Sequence, residues 1–251
     1  PTRRSSDLLD GYKGMVNNRV YLQVRAPHRG HTLHVDHTTM DLRVMPDHRS
    51  TRPIRPYLTV CVDGYSSFAW AYAWKTPPNA DTVASALAET AIARDYCGVT
   101  LGGIPEQVVF DNATENYASA TGDGVARLGW VFSPIPPYSS WQNGKAERAI
   151  QAVNDRLSSR APGALHAGTT REGQRRHTPN IPAKTDPATL WSWPAFLAAL
   201  DEVVHELNTT MRMQRLGGRT RLEAYATDPT EQRFLSDLEV RAAMLRTAKG
   251  T

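Results

Sequence analysis

The chain has 251 residues, 40% of them hydrophobic, enough for one large domain or one domain with appendages, and no apolar run approaches the length of a membrane span. A formal charge of +4 and a pI near 9.2 permit a polyanionic partner without requiring one. Cys61 and Cys97 lie 36 positions apart with no C-x-x-C, which excludes a zinc knuckle or redox pair and predicts two buried free thiols in a reducing cytoplasm. Opening at Pro1 with neither a Met nor a signal peptide, the chain reads as a piece of something longer. Its positive charge is mostly arginine, with only five lysines. Arg suits bidentate phosphate contacts, but a GC-rich genome gives the same bias and is the simpler cause.

Residues 1–30 are polar, Arg-rich and patternless, as a linker would be. "TLHVDHTTMDLRV" then alternates like a half-buried strand, with Leu33 and Val35 on one face and Asp36 on the other. "PYLTVCVDGYS" is a second strand closed by Asp63 and Gly64, and "FAWAYAWK" a third, spaced for an antiparallel meander. "NADTVASALAETAIARDY" predicts a helix capped by Asn79 or Asp81, with Val83, Leu87 and Ala91 inward. "EQVVFD" is a short, almost wholly apolar strand of the kind covered on both faces. A loop and short helix lead to Leu128, and "GWVFSPI" is a fifth strand stopped by Pro134, Pro136 and Pro137. A helix over 145–159 follows. From 160 to 185 the chain turns to Gly, Pro, Thr and Arg, with five Lys or Arg against one Glu, a basic linker. Helix returns at "WSWPAFLAALDEVVHELNTT" and "TEQRFLSDLEVRAAMLR". This order is that of an α/β fold with a mixed sheet.

Three acids stand out. Asp36 lies mid-strand, and Asp111 ends an apolar strand, where an acid needs a partner or a metal. Glu147 has Asn143, Gly144, Ile150 and Gln151 three and four residues away, none of them basic. Beside the apolar stripe Ala146, Ile150, Val153, Leu157 runs a polar one, Glu147, Gln151, Asn154, Ser158, with a single charge. Two readings stay open for that charge: a ligand, or a first-turn acid that the helix dipole favours. Asp41 alternates to the face opposite Asp36, Asp63 reads as a turn cap, and Glu115 is a weaker competitor in the loop after Asp111. Histidines 28, 31, 34 and 37 recur every three residues, but on a strand that step alternates faces and cannot build a metal site. His37 stays open as a phosphate contact or as strand-edge polarity.

Taken together, "HVDHT", "FDNATEN" and "GKAER", with 35 residues between Asp111 and Glu147, resemble the DDE transposases and retroviral-type integrases. "RPYLTVCVDGYSS", "IPPYSSWQNGKAER" and "GGRTRLEAYATDP" resemble the second strand, the loop before the Glu helix and the post-core "TPLEAW" element of that family. The likeness covers about residues 31–228 and is closest in style to bacterial Mu-type transposases. Ala113, Asn116 and Arg221 depart from its usual Gly, Phe and Pro without touching the acids.

The resemblance implies an α/β, RNase H-like mixed five-stranded sheet, three antiparallel strands then two parallel, flanked by helices with a helical C-terminal extension. The implied division is a linker over 1–30 from an upstream DNA-binding region, a catalytic core over 31–160, a basic flexible linker over 161–190, and a helical extension over 191–251 leading to a further C-terminal domain. It implies two Mg²⁺ or Mn²⁺ ions, Asp36 bridging both and Asp111 and Glu147 each holding one, for DNA 3′-end cleavage and strand transfer by direct transesterification. Partners would be element ends, target DNA and further copies of the chain, with no membrane, in the bacterial cytoplasm at the nucleoid. Expected DNA contacts are Tyr138, Gln142, Asn143 and Lys145 before Glu147, and Gln151 and Asn154 on its helical face. Arg171, Arg175 and Arg176 suit sequence-blind backbone contact or simply a solvated linker, and Trp191, Trp193 and Phe196 are expected to pack rather than stack on bases. Two other readings remain: an RNase H-like nuclease without joining activity, and an inactive DNA-binding module.

Overall fold

The computed structural model describes residues 26–110, 124–134, 143–169, 175–177 and 186–245. Alternating apolar residues build the main sheet from β1 (Thr32–Thr39), β2 (Tyr57–Asp63), β3 (Ala69–Trp74), β6 (Gln107–Phe110) and β7 (Val131–Pro134), in the order β3-β2-β1-β6-β7. The first three strands pair antiparallel, while β1–β6 and β6–β7 are parallel.

The pleat sends Leu33, Val35, Cys61, Val108 and Phe110 to one face, under α1 (Ala80–Ala91) and α5 (Asp237–Leu245). Asn79 caps α1 in a capping box with Thr82. Leu58, Val60 and Val62 point to the other face, under α2 (Gly144–Arg160) and α3 (Trp193–Thr209). There Ala146, Ile150, Val153 and Leu157 of α2 meet Phe196, Leu200 and Val203 of α3. Each of the Val, Leu, Ile and Phe side chains contributes about 1.5–3 kcal/mol by burial. Phe196 is fully buried, and Trp191 and Trp193 pack against this cluster, as expected of them. No described helix is long and apolar enough to cross a membrane.

Several segments differ from expectation. The helix predicted to run to Tyr96 stops at Ala91, because Arg94–Tyr96 (β4) forms a hairpin with Val99–Leu101 (β5). Cys97 and Gly98 turn that hairpin with φ of 53° and 77°, which leaves Cys97 exposed rather than buried. The last helix begins only at Asp237, since the segment before it is held by bonds to distant chain: Gln232 Nε2 donates to Arg29 O, and Ile104 N to Arg233 O. Residues 26–30, read as linker, also pack on the core, with Ala26 buried and Arg29 donating to Thr230 O and Tyr225 O. Tyr225 belongs to a short helix, α4 (Arg221–Ala226), capped by Thr220 and Glu223, and its hydroxyl donates to Gly102 O.

The stretch expected to be a linker over 161–190 contains a two-stranded sheet, β8 (His166–Thr169) with β9 (Arg175–His177), and the buried residues Ala161 and Leu190. Its start is bonded to the continuation of β1, Arg43 N to Gly163 O and Leu165 N to Asp41 O. A Cβ at Gly163 would lie 2.3 Å from Arg43 O, so only glycine fits that approach.

Candidate active site

Asp36 faces Val60 across the β1–β2 ladder and so lies on the side of the sheet covered by α2 and α3. Its Oδ1 accepts from His37 N. The helix carrying Glu147 is pinned to β1 at two levels. Asn143, just before α2, donates from Nδ2 to Val35 O at 3.2 Å. Further along, Asn154 Oδ1 accepts from Asp41 N at 3.0 Å, Asn154 Nδ2 donates to Asp41 Oδ2 at 2.9 Å, and Ser158 Oγ donates to Asp41 O. The helix therefore runs alongside β1 and its continuation. Glu147 is one turn past Asn143 on the same flank, about 6 Å along the axis, and Asp36 is the residue after Val35. Both carboxylates thus belong to the stretch between the two pins.

Glu147 is exposed and among the described residues makes neither hydrogen bond nor ion pair. The charges near it in sequence point elsewhere. Lys145 donates to Gly64 O in the β2–β3 turn, and Arg148 lines a cleft on another flank of the helix. β6 ends its described course at Phe110, paired in parallel register with Val35. Asp111, the next residue in sequence, lies outside the described residues, as do Glu115, Tyr138, Gln142 and Arg171. Among the described residues no group of three His, Cys, Asp or Glu side chains is gathered for a metal. Asp36 and Glu147 are nevertheless the donor chemistry that Mg²⁺ or Mn²⁺ takes: hard carboxylate oxygens, few in number, one of them uncommitted.

The competing acids are committed. Asp63 is buried and caps its turn as expected, accepting from Gly30 N, Ser66 N and Ser66 Oγ. Asp41 is buried against Asn154 and pairs with Arg55 Nη2 at 2.9 Å. Contrary to the alternation expected of it, Asp41 meets α2, because β1 ends at Thr39 and the strand rule no longer applies.

Two of the expected DNA contacts, Asn154 and Asn143, are corrected. Asn154 is 4% exposed with both ends of its amide on Asp41, so it cannot reach a phosphate. Asn143 is buried as well, holding Val35 O, whereas Lys145 is half-buried, with its ammonium on Gly64 O in the β2–β3 turn. Gln151 alone of the described set lies exposed on α2. Lys145 could have been separated from Glu147 on sequence: two helical steps put residues on nearly opposite sides of the cylinder. The burial of Asn154 had no such local signal.

His28 and His31 do converge, both facing Glu106 at 3.3 and 3.8 Å, because β1 starts only at Thr32 and they sit in the turn before it. His34 and His37 take opposite faces, as alternation requires. Burial, then the nearby Lys145 charge, lowers His34 to about 4, against an opposing contact with Asn143. Burial alone lowers His37 to about 4, where its Nδ1 pairs with Thr59 Oγ1 at 2.8 Å. Both imidazoles are therefore neutral at pH 7. Because the folded values lie below the unfolded 6.5, stability is full above pH 6.5 and falls as pH drops through the window toward 4. The limit is about 3 kcal/mol for each ring. Asp63, raised by burial, works in the opposite sense. In EDTA the melting temperature should fall steeply from pH 7 to pH 4.5, and a His34→Gln/His37→Gln variant should show a flatter fall; equal slopes contradict the assignment.

A family model described as the TnsB C-terminal domain matches residues 34–163, from β1 through α2. No curated protein matches the sequence. Among solved structures, a chain of the simian T-cell lymphotropic virus intasome in complex with PP2A regulatory subunit B56 gamma superposes with a TM-score of 0.53 at 16% identity, over 84% of this chain and 60% of that one. The HTLV-2 integrase catalytic core domain in complex with magnesium gives 0.47 at 16% identity, over 80% and 99% of the two chains. The catalytic core domain of BIV integrase gives 0.44 at 18%, over 78% and 93%. At 16% identity the likeness to the intasome chain is one of fold, and this chain spans about 60% of that chain's length.

Proposed function

The chain belongs to the TnsB C-terminal domain family, with the RNase H-like core of transposases and integrases, and we propose that it is the catalytic part of a metal-dependent DNA transposase, cleaving a DNA 3′ end and joining it to target DNA. The observation that carries this reading is the pinning of α2 to β1 at Val35 and Asp41, which holds Glu147 on the flank beside Asp36 with no other partner among the described residues. Asp111, directly after Phe110, is the proposed third acid.

Gathered carboxylates repel one another and are stable together only with cations. Two bound Mg²⁺ or Mn²⁺ ions would supply that charge, activate the attacking oxygen and stabilise the leaving one. Asp36 and Glu147 provide hard oxygen ligands, and the neutral His34 adds no competing positive charge. In the first step a water oxygen bonds to phosphorus as the P–O3′ bond breaks, leaving a 3′-OH and a 5′-phosphate. In the second, that 3′ oxygen bonds to a target phosphorus, loses its proton, and displaces the target's own 3′ oxygen. Neither step forms a bond to protein, so no Ser or Tyr adduct with DNA accumulates. The proposed setting is a multimer on two element ends and target DNA in a bacterial cytoplasm.

A duplex with a pre-cut end, incubated with the protein, plasmid and Mg²⁺, tests this reading. Joined product that disappears in EDTA is expected. Cutting without joining would favour the nuclease reading, and Mg²⁺-independent binding with neither product would favour an inactive DNA-binding module.

A further inference from the structure

Around α2 from Glu147, Arg148 at rather more than a quarter turn and Lys145 and Arg156 at nearly half a turn line a cleft against the segment that follows α3. The cleft measures about 340 Å³, and its opposite wall includes Ser67, Arg215 and Arg221. Five of its lining side chains are basic and one, Asp155, is acidic. Arg215 is exposed and donates to Ser67 Oγ. Arg156 shares Glu206 with Arg160.

Arg221 is the anomaly. It is 7% exposed, yet among the described residues no carboxylate pairs with it. Its Nη1 donates to the neutral Leu207 O at 2.6 Å, and its buried Nε has no partner. Burial, followed by the like charges of Arg215 and Arg156, lowers its pKa to about 10, which still leaves it charged at pH 7. A buried guanidinium among other cations, with a donor unused, lacks its anion. It also stands where the resembling "TPLEAW" element has Pro.

We propose that this cleft is a phosphate-binding site, with Arg221 at its floor and Arg215 and Arg148 at its mouth. A tetrahedral oxyanion offers several acceptors to forked guanidinium donors and supplies the charge that Arg221 lacks. Two sources carry that group: a backbone phosphodiester of DNA, or a free phosphate. Only the first rests on the proposed function.

The test uses the whole chain in EDTA, with inorganic phosphate and a 30-base-pair duplex as probes at matched ionic strength. Arg221→Met keeps the side chain's length and removes a buried charge, a change that folds tolerate. Arg215→Ala, at an exposed position, is the second variant. If free phosphate is the source, calorimetry finds wild type binding phosphate, and both variants bind it at least tenfold more weakly. If DNA is the source, phosphate alone binds weakly, while duplex affinity drops and its salt slope falls by about one in both variants. Unchanged binding of both probes by both variants overturns the proposal. Because EDTA removes divalent ions, this failure is distinct from failure of the cleavage reading.

Discussion

Glu147→Gln is expected to reduce 3′-end cleavage and strand transfer by about a thousandfold or more, since on the proposed function it removes a metal ligand whose charge stabilisation amounts to several kcal/mol. Its side chain is exposed and makes no bond among the described residues, so the fold does not depend on its charge. The melting temperature and the affinity for a duplex in EDTA should therefore match wild type. That separation matters, because a variant that merely unfolds loses activity for an uninformative reason. Gel assays of both steps, run beside thermal melts, give the readout. Strand transfer within tenfold of wild type would remove Glu147 from the metal site.

Asn154→Leu is expected to destabilise the fold by about 3 kcal/mol. Leu has nearly the shape of Asn but offers neither the acceptor for Asp41 N nor the donor for Asp41 Oδ2. Arg55 remains on Oδ1, but the buried carboxylate loses the donor that Asn154 gave Oδ2. The same change loosens α2 from β1 at one of its two pins, so it should also lower activity through the position of Glu147. Urea unfolding measures the first effect as a lower midpoint at unchanged slope. Wild-type stability combined with weakened DNA binding would restore Asn154 as a DNA contact and overturn its structural assignment.

Local pattern carried much of this architecture. Alternation in "TLHVDHTT" put Asp36 opposite Leu33 and Val35, and the ladder agrees, with Val35 facing the α1 side and Asp36 the α2 side. The step-four and step-three stripe in α2 likewise named the residues that meet α3. What escaped depended on distant chain. The polar stripe Glu147, Gln151, Asn154, Ser158 looks uniform in sequence, yet its lower half is buried because the continuation of β1 brings Asp41 onto it. Arg94–Tyr96 read as the end of a helix, although Gly98 close behind supports a hairpin that a three-residue strand cannot announce by periodicity. The run before α5 is fixed by Arg29 and Ile104, more than 120 positions away in sequence. Arg221 gave a sign only as a departure from a resembling motif, and its burial among cations needed the fold.

The proposed function requires a divalent-ion site built by Asp36 and Glu147 with Asp111. Anomalous diffraction from crystals soaked in Mn²⁺, with a DNA end bound, tests it directly. Manganese peaks about 2.1 Å from carboxylate oxygens of Asp36 and Glu147 are the predicted result. Manganese bound only at other residues, with the DNA end in place and these carboxylates bare, would contradict it.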